Sequence, residues 1–517
     1  MKGRRALSWW LIVTAAVCGA VVMAVELLGA RMLSVGYGGS LSVWAAMIST
    51  TLISLAIGYF AGGCVADRAP KPWILFLLVT LGGALVVVCP HLRFVLKVCY
   101  HAMGIKGGAL ASSAIIFLAP LGLLGVVGPF VIRLLSDRPE GVGMTAGGIY
   151  AISTIGSVAG TLLTALWLIP TLGVSEGFLL TGIAASACGA VGLILCLKRK
   201  GAVAALAPMV LAFVPNVSNK VGETFVAPDG EPAQILDVRD SALGRIAVVS
   251  KGDYRLLVVN GIVQTGVPKD MAGLAKGDGL AIHYFQELLP YTVENPESRS
   301  ALVIGVAGGM TPALLRAYGI QVDAVDLDPA IIETARKWFS FFGPATIMDG
   351  RLYLEDCKKR YDFCVLDTYS GDAMPFHLAS REAFQSAAAV LKPGGVLAIN
   401  YIGAPKGRAF ASIYKTLSAV FLNVKALKGE ANDKIQTITI FASNRPITFN
   451  NGWLDYRPAF SGVDPIGDAI ARMTVEPSMQ DAIVLTDEYN PIDLLRDDEA
   501  LQWRMRAYQN IGEKVVF

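Results

Sequence analysis

The chain has 517 residues, more than one domain usually holds, so two or three units are expected. Hydrophobic residues make up 54% of it and mean hydropathy is +0.54, an excess gathered in the first 215 residues that points away from a wholly soluble chain. The net charge of +3, with no Lys/Arg run longer than short clusters such as Lys198-Arg199-Lys200, gives no support to a polyanion-binding surface, so no nucleic acid partner is expected.

Six stretches approach the roughly 20 apolar residues that a bilayer core requires: 8–30, 42–63, 73–90, 109–132, 146–169 and 176–197. The first is too long for a cleaved signal peptide and another span follows it closely. Lys2, Arg4, Arg5, Arg68, Lys71, Arg133, Arg138, Lys198, Arg199 and Lys200 fall on one side, and Arg31, Arg93, Lys97 and Lys106 on the other. That bias places the N-terminus in the cytoplasm, in the plasma (inner) membrane, and six spans return the chain there. Residues 202–214 are apolar but short, and contain Pro208; a seventh span there would put the rest of the chain outside. Gly58 with Gly62, and Gly156 with Gly160, allow close helix packing within one bundle. Glu26 lies well inside the first span, where an ionisable group marks either function or an internal partner such as a neighbouring helix or Arg31.

Residues 215–238, with Pro215, Pro228 and Pro232, read as a polar linker, and residues 201–238 form a short apolar segment plus that linker. A small β-hairpin region spans 239–268: strands 244–250 and 254–259 flank a turn at Lys251-Gly252-Asp253, and a second turn sits at Asn260-Gly261. A helix over about 278–292 leads into a βα series. Strand 301–306, a glycine loop and a helix are followed by strand 321–326, helix 329–341, strand 362–367 and helix 380–391. Lys392-Pro393-Gly394-Gly395 breaks the chain before strand 396–401, and strands at about 423–428 and 435–442 close the sheet. Such alternation predicts a doubly wound α/β domain over 269–517, behind a membrane bundle over 1–200.

Ligands of open α/β sheets bind beyond the carboxyl ends of the strands, and four features fall there. Gly305-Val-Ala-Gly308-Gly309 would let the backbone approach a ligand, or is simply a tight turn. Asp326, 17 residues past Gly309, could accept both hydroxyls of a ribose, whereas Asp328 reads as the cap of a helix starting at Pro329. Asp349-Gly350 stands where such folds meet adenine, and alone is only a turn. Asp367-Thr-Tyr369-Ser-Gly-Asp372 follows the 362–367 strand; its acids could hold an amine and take its proton, or could cap the next helix. Eight cysteines without a CxxC pair, and four histidines, give neither a disulfide framework nor a metal site.

In combination and order, these elements resemble the spermidine synthases, or polyamine aminopropyltransferases, over about 243–400. Leu257-Val-Val-Asn260-Gly261-Ile-Val-Gln264 is similar to that family's hairpin signature, and Gly305 to Gly309 to its glycine loop. Asp326 aligns with the ribose-binding acid, Asp349-Gly350 with the adenine-site pair, and Asp367 with the catalytic acid. Gly19 to Arg31, Gly148 to Ala151, Asp367 to Leu378 and Leu485 to Pro491 resemble the membrane-fused bacterial branch, which extends the likeness over most of the chain. The resemblance implies a multi-span α-helical bundle followed by a class I methyltransferase-like, Rossmann-type domain with a small N-terminal β region. It implies decarboxylated S-adenosylmethionine (or S-adenosylmethionine) as co-substrate, no metal, a small-molecule amine acceptor and a homodimer at the lipid bilayer. Gln264, Tyr284, Tyr369 and Asp372 become the amine-site candidates.

Two departures bear on the reaction. The fourth residue of the family's glycine loop is an acid that helps hold the aminopropyl amine, and here it is Gly308. His283-Tyr284 and Glu287 only approximate the family's Tyr-His-Glu order. Methyl transfer from S-adenosylmethionine therefore stands as the alternative to aminopropyl transfer. A third reading makes the bundle a polyamine or metabolite transporter or sensor with a regulatory soluble domain; its support in the spans is Glu26 alone.

Overall fold

A computed structural model describes residues 2–39, 41–136, 141–197, 221–241, 243–269, 288–292, 300–428, 434–449, 474–512 and 515. The chain divides into two compact units, one built on Met1–Lys220 with Arg239–Gly244, the other on Val221–Val238 and Arg245–Val516.

The first unit is helical: α1 (Lys2–Tyr37), α2 (Leu41–Arg68), α3 (Pro72–Val88), α4 (Arg93–Gly125), α5 (Val127–Leu135), α6 (Val142–Leu163), α7 (Ile169–Leu172) and α8 (Val174–Leu197). Five helical runs are long and apolar enough to cross a membrane: Arg5–Tyr37, Ser42–Arg68, Pro72–Leu135, Val142–Leu172 and Val174–Leu197. The expected stretches 73–90 and 109–132 both fall in the third run, whose 64 residues would extend ~96 Å if straight, against a hydrocarbon core of ~30 Å. That run is broken by a 3-10 turn at Cys89–Leu92 and at Gly104, where φ is 69°. Large apolar side chains face outward, with Phe60 78%, Leu166 75% and Ile155 68% exposed, a surface that suits lipid better than water. Gly156 and Gly160 lie against the backbone of Ala16 and Ala20, and Gly58 and Gly62 against Gly122 and Val126, so both glycine pairs serve contacts inside the bundle. Glu26 has Thr51 of α2 as a hydrogen-bond partner. Residues 202–214 lie outside the described residues.

The second unit holds two sheets. The smaller has the order β1 (Thr224–Val226), β2 (Pro232–Asp240), β3 (Arg245–Lys251), β4 (Tyr254–Val259), β5 (Ile262–Pro268). Both expected turns are present: Lys251 pairs with Tyr254, and Asn260 and Gly261 have φ of 48° and 79°, as a tight hairpin turn demands. The expectation of a linker up to 238 is corrected from residue 221 onward. Pro228 lies outside the strands, and Pro232 opens β2, where a missing N–H is tolerated, while Ala233 and Ile235 are buried with the period of two of a strand. The β region is thus a five-stranded sheet beginning at Thr224, larger than the hairpin expected over 239–268.

The larger sheet is built from β6 (Ser300–Ile304), α9 (Met310–Ala317), β7 (Gln321–Asp326), α10 (Pro329–Trp338), β8 (Ala345–Ile347), α11 (Gly350–Asp356), β9 (Tyr361–Leu366), α12 (Arg381–Ala389), β10 (Leu391–Gly403), α13 (Arg408–Ser418), β11 (Asn423–Lys428) and β12 (Gln436–Ser443). Its order is β11-β12-β10-β9-β6-β7-β8, with β12 antiparallel to both neighbours and the other pairs parallel. This is the doubly wound, class I methyltransferase-like arrangement. β9 is buried at every position, as a parallel strand covered on both faces must be: Phe363 joins one core and Cys364 the other. Lys392-Pro393-Gly394-Gly395 does not end the preceding element. It lies inside β10 as an irregularity, the register shifting between Leu391 and Val396. Of the expected helix over 278–292, only 288–292 are described, with a 3-10 turn at Pro290–Thr292. A C-terminal helix, α14 (Ile492–Ile511), completes the unit.

Candidate active site

Strand register lines up the candidate residues. Ile304 of β6 is level with Val325 of β7 and with Leu366 of β9, and Leu366 is level with Ile399 of β10. The next residues along the four strands are Gly305, Asp326, Asp367 and Asn400, which therefore stand side by side on the carboxyl edge. β6 is where the chain switches from building the sheet towards β8 to building it towards β10, and the crevice of a doubly wound sheet opens at that point.

Gly305 has φ of 95°, and a Cβ there would overlap the carbonyl oxygen of Asp367, so only glycine fits between the two strand ends. Asp326 fastens the loop that follows: Oδ2 accepts from Val306 N at 2.8 Å, and Oδ1 from Asp328 N at 2.9 Å. Burial pushes its carboxyl above the usual value, against the pull of the Asp328, Val306 and Ala307 N–H groups. Asp328 caps α10 by accepting from Ala330 N at 2.9 Å, as its sequence position implied. Gly308 N donates to Thr265 Oγ1 at 3.1 Å, and a Cβ at 308 would come within 2.6 Å of Thr265 Cγ2. Gly309 has φ of 79° and opens α9.

Asp349 caps α11, its Oδ1 accepting from Arg351 N at 2.8 Å and Leu352 N at 3.1 Å, while Oδ2 lies 3.0 Å from His377 Nε2. Burial alone would raise its carboxyl, but Leu352 N–H, His377 and Arg351 N–H together hold it below the ordinary range. Gly350 packs its backbone against Ile304.

Asp367 Oδ1 accepts from Asn400 Nδ2 at 2.8 Å. The rest of its loop is held from behind. Gln264 Nε2 donates to Gly371 O at 3.0 Å. Tyr369 turns its hydroxyl to β10, where it accepts from Ile402 N at 2.9 Å, and its ring packs against the core. Asp372 is 8% exposed and paired with the fully buried Arg504, through Nη2 to Oδ1 at 2.6 Å and Nε to Oδ2 at 3.1 Å. Arg496 donates to Asp372 O at 3.2 Å and Ile402 O at 3.0 Å, under the rings of Tyr369 and Tyr401. Of the amine-site candidates, Tyr369 and Asp372 thus brace the loop from inside, and Tyr284 lies outside the described residues. The sequence reading missed Arg496, Arg504, Asn400, His377 and Thr265. No local signal marked the first two: Arg496 and Arg504 share the buried side of α14 with Ile492, Glu499, Tyr508 and Ile511, and charged residues on a helix read as its solvated face. Among the described residues, no group of three or more His, Cys, Asp or Glu is placed to hold a metal ion.

Residues 288–421 match the spermine/spermidine synthase domain family. The matched stretch lies within the second compact unit and holds the strands from β6 to β10. A polyamine aminopropyltransferase of Vibrio vulnificus is 27% identical over 229 residues, covering 41% of this chain and 75% of that protein. A polyamine aminopropyltransferase of Mycobacterium tuberculosis is 26% identical over 396 residues, covering 67% of this chain and 73% of that protein, so the likeness extends beyond the synthase domain. An N-terminal histidine N-methyltransferase of Emericella nidulans is 31% identical over 166 residues, 29% of this chain and 30% of that protein. Beyond the matched stretch, the segment from Leu485 to Pro491 is stitched to α11 and to the loop before α12. Asn490 Nδ2 donates to Phe376 O at 2.8 Å, Arg351 Nη2 lies 2.9 Å from Asp487 Oδ2, and Ser380 Oγ bonds Asp487 Oδ1.

Proposed function

We propose that the protein transfers an aminopropyl group from decarboxylated S-adenosylmethionine to an amine, with Asp367 as the catalytic acid-base. The observation that carries this reading is the placement of Asp367 beside Gly305, level with Asp326, at the switch point of a spermine/spermidine synthase domain. Asp326 would take the ribose hydroxyls on the free lone pairs of its two oxygens, and the Gly305–Gly309 backbone would face the sulfonium end. Asp349 and Gly350 would border the adenine. Asp367 would orient the amine and accept its proton as nitrogen attacks the methylene next to sulfur. The sulfonium is already a good leaving group, so orientation and charge placement do most of the work. Gln264 would shape the amine side through its hold on Gly371, and Tyr369 and Asp372 through the bracing of the loop.

Methyl transfer is the second reading, and Gly308 favours it. With no acid at 308, and with Thr265 filling the space a side chain would need, the site has no carboxylate there to prefer a cationic tail over the intact methionine carboxylate. Calorimetric titration with both co-substrates tests the point. Tighter binding of the decarboxylated form supports aminopropyl transfer, and tighter binding of S-adenosylmethionine overturns it in favour of methyl transfer.

The reading extends to location. The third apolar run supplies two crossings and the bundle six in all, in the plasma membrane, with both termini and the synthase domain cytoplasmic. The lipid bilayer and a second copy of the chain are the expected partners.

A further inference from the structure

Asn400, beside Asp367, carries a buried side-chain oxygen with an unmet bond. Its Nδ2 donates to Asp367 Oδ1 at 2.8 Å, which fixes the amide's orientation, since a carboxylate calls for a donor. The other end, Oδ1, is then a buried acceptor with no hydrogen-bond partner among the described residues. The neighbouring hydroxyls do not supply one: Tyr401 donates to Glu499 Oε2 at 2.7 Å, and Tyr369 accepts from Ile402 N. A buried acceptor left open is costly, and native sites keep one where a ligand completes it. Register puts this acceptor next to Asp367, because Ile399 and Leu366 are paired.

We propose that Asn400 Oδ1 is the second acceptor for the attacking nitrogen, so that Asp367 and Asn400 together select a primary amine. The identity of the nucleophile rests on the transfer reading above. A primary amine offers Asp367 one N–H and Asn400 the other, leaving its lone pair for the electrophilic carbon. The C–N bond then forms as the C–S bond breaks, sulfur keeps the electron pair and becomes a neutral thioether, and the surplus proton on nitrogen passes to Asp367. A dimethylated nitrogen carries a single N–H at most and leaves one of the two acceptors open.

The test uses the full chain in lipid nanodiscs, saturated with methylthioadenosine and titrated with butylamine and with N,N-dimethylbutylamine. The wild type is expected to bind butylamine at least ~10-fold more tightly, the value of one hydrogen bond to a charged group. In Asn400→Leu that ratio is expected to collapse towards one through weaker butylamine binding, and in Asn400→Gln it is expected to be partly kept. Should Asn400→Leu lose methylthioadenosine binding, Asn400→Ser replaces it. An unchanged ratio in the folded variant, or no preference in the wild type, overturns the proposal. The transfer reading is judged separately by the nucleoside released in turnover: S-adenosylhomocysteine in place of methylthioadenosine sinks aminopropyl transfer and leaves the amine-affinity result to decide on Asn400.

Discussion

Asp326, Asp349 and Asp367 stand at the carboxyl ends of β7, β8 and β9, yet each is bonded in a different way. Asp326 bonds two backbone N–H groups of the site itself, so its loss would disturb the glycine loop as well as the proposed ribose contact. Asp326→Asn is expected to weaken methylthioadenosine binding by at least ~10-fold, from the lost bonds to a charged acceptor, as measured by calorimetry. Asp349 is mainly a helix cap, and its carboxyl lies below the ordinary range. A depressed folded value means that its contribution to stability is present above about pH 4 and is lost as pH falls through the folded value. Asn also caps helices, so Asp349→Asn removes the charge and keeps the cap. The variant should show a flatter loss of stability below about pH 4 in denaturation curves; an unchanged acid limb would count against this account of Asp349. Asp367 was legible as a candidate from its place after a β-rich segment. Its partner Asn400 was not, because a single Asn in a strand has no local pattern and gains meaning only when two strands are laid in register.

Parallel strands were legible at the level of elements because burial on both faces writes itself as continuous apolar runs, as in 301–304 and 363–366. Strand ends moved by a residue or two, and the glycine-rich break became part of β10, since hydrogen bonding to β9 resumes after the irregularity. The helix α14 was hidden by its own chemistry. Its buried face carries Arg496, Glu499 and Arg504, which reads as a solvated face until the partners Asp372, Tyr369 and Tyr401 are known. This helix holds the Asp367 loop from behind. Removing one member of the Asp372–Arg504 pair leaves the other charge buried, so Arg504→Met should cost about 3–5 kcal/mol in denaturant unfolding and lower turnover by displacing the loop. The double variant Asp372→Leu with Arg504→Met should regain much of the stability. A single variant as stable as wild type would contradict the clamp.

For the whole molecule, apolar composition was enough to separate a bundle of helices long and apolar enough to cross a membrane from a globular unit, because lipid and water impose opposite surface chemistry. The start of the globular unit was misread, since three prolines suggested a linker where β1 and β2 stand. Six crossings predict that cysteine-directed reagents confined to the outside of intact cells miss introduced cysteines at both 3 and 356, and reach one at the exposed position 102; labelling at 356 would contradict the topology. The central claim concerns the bond that is broken. Single-turnover reaction of the full chain with decarboxylated S-adenosylmethionine and 1,4-diaminobutane, resolved by mass, is expected to release methylthioadenosine together with an aminopropylated amine. Asp367→Asn is expected to slow this by ~100-fold or more while still binding methylthioadenosine. Release of no methylthioadenosine by folded wild type that turns over S-adenosylmethionine to S-adenosylhomocysteine would contradict the account.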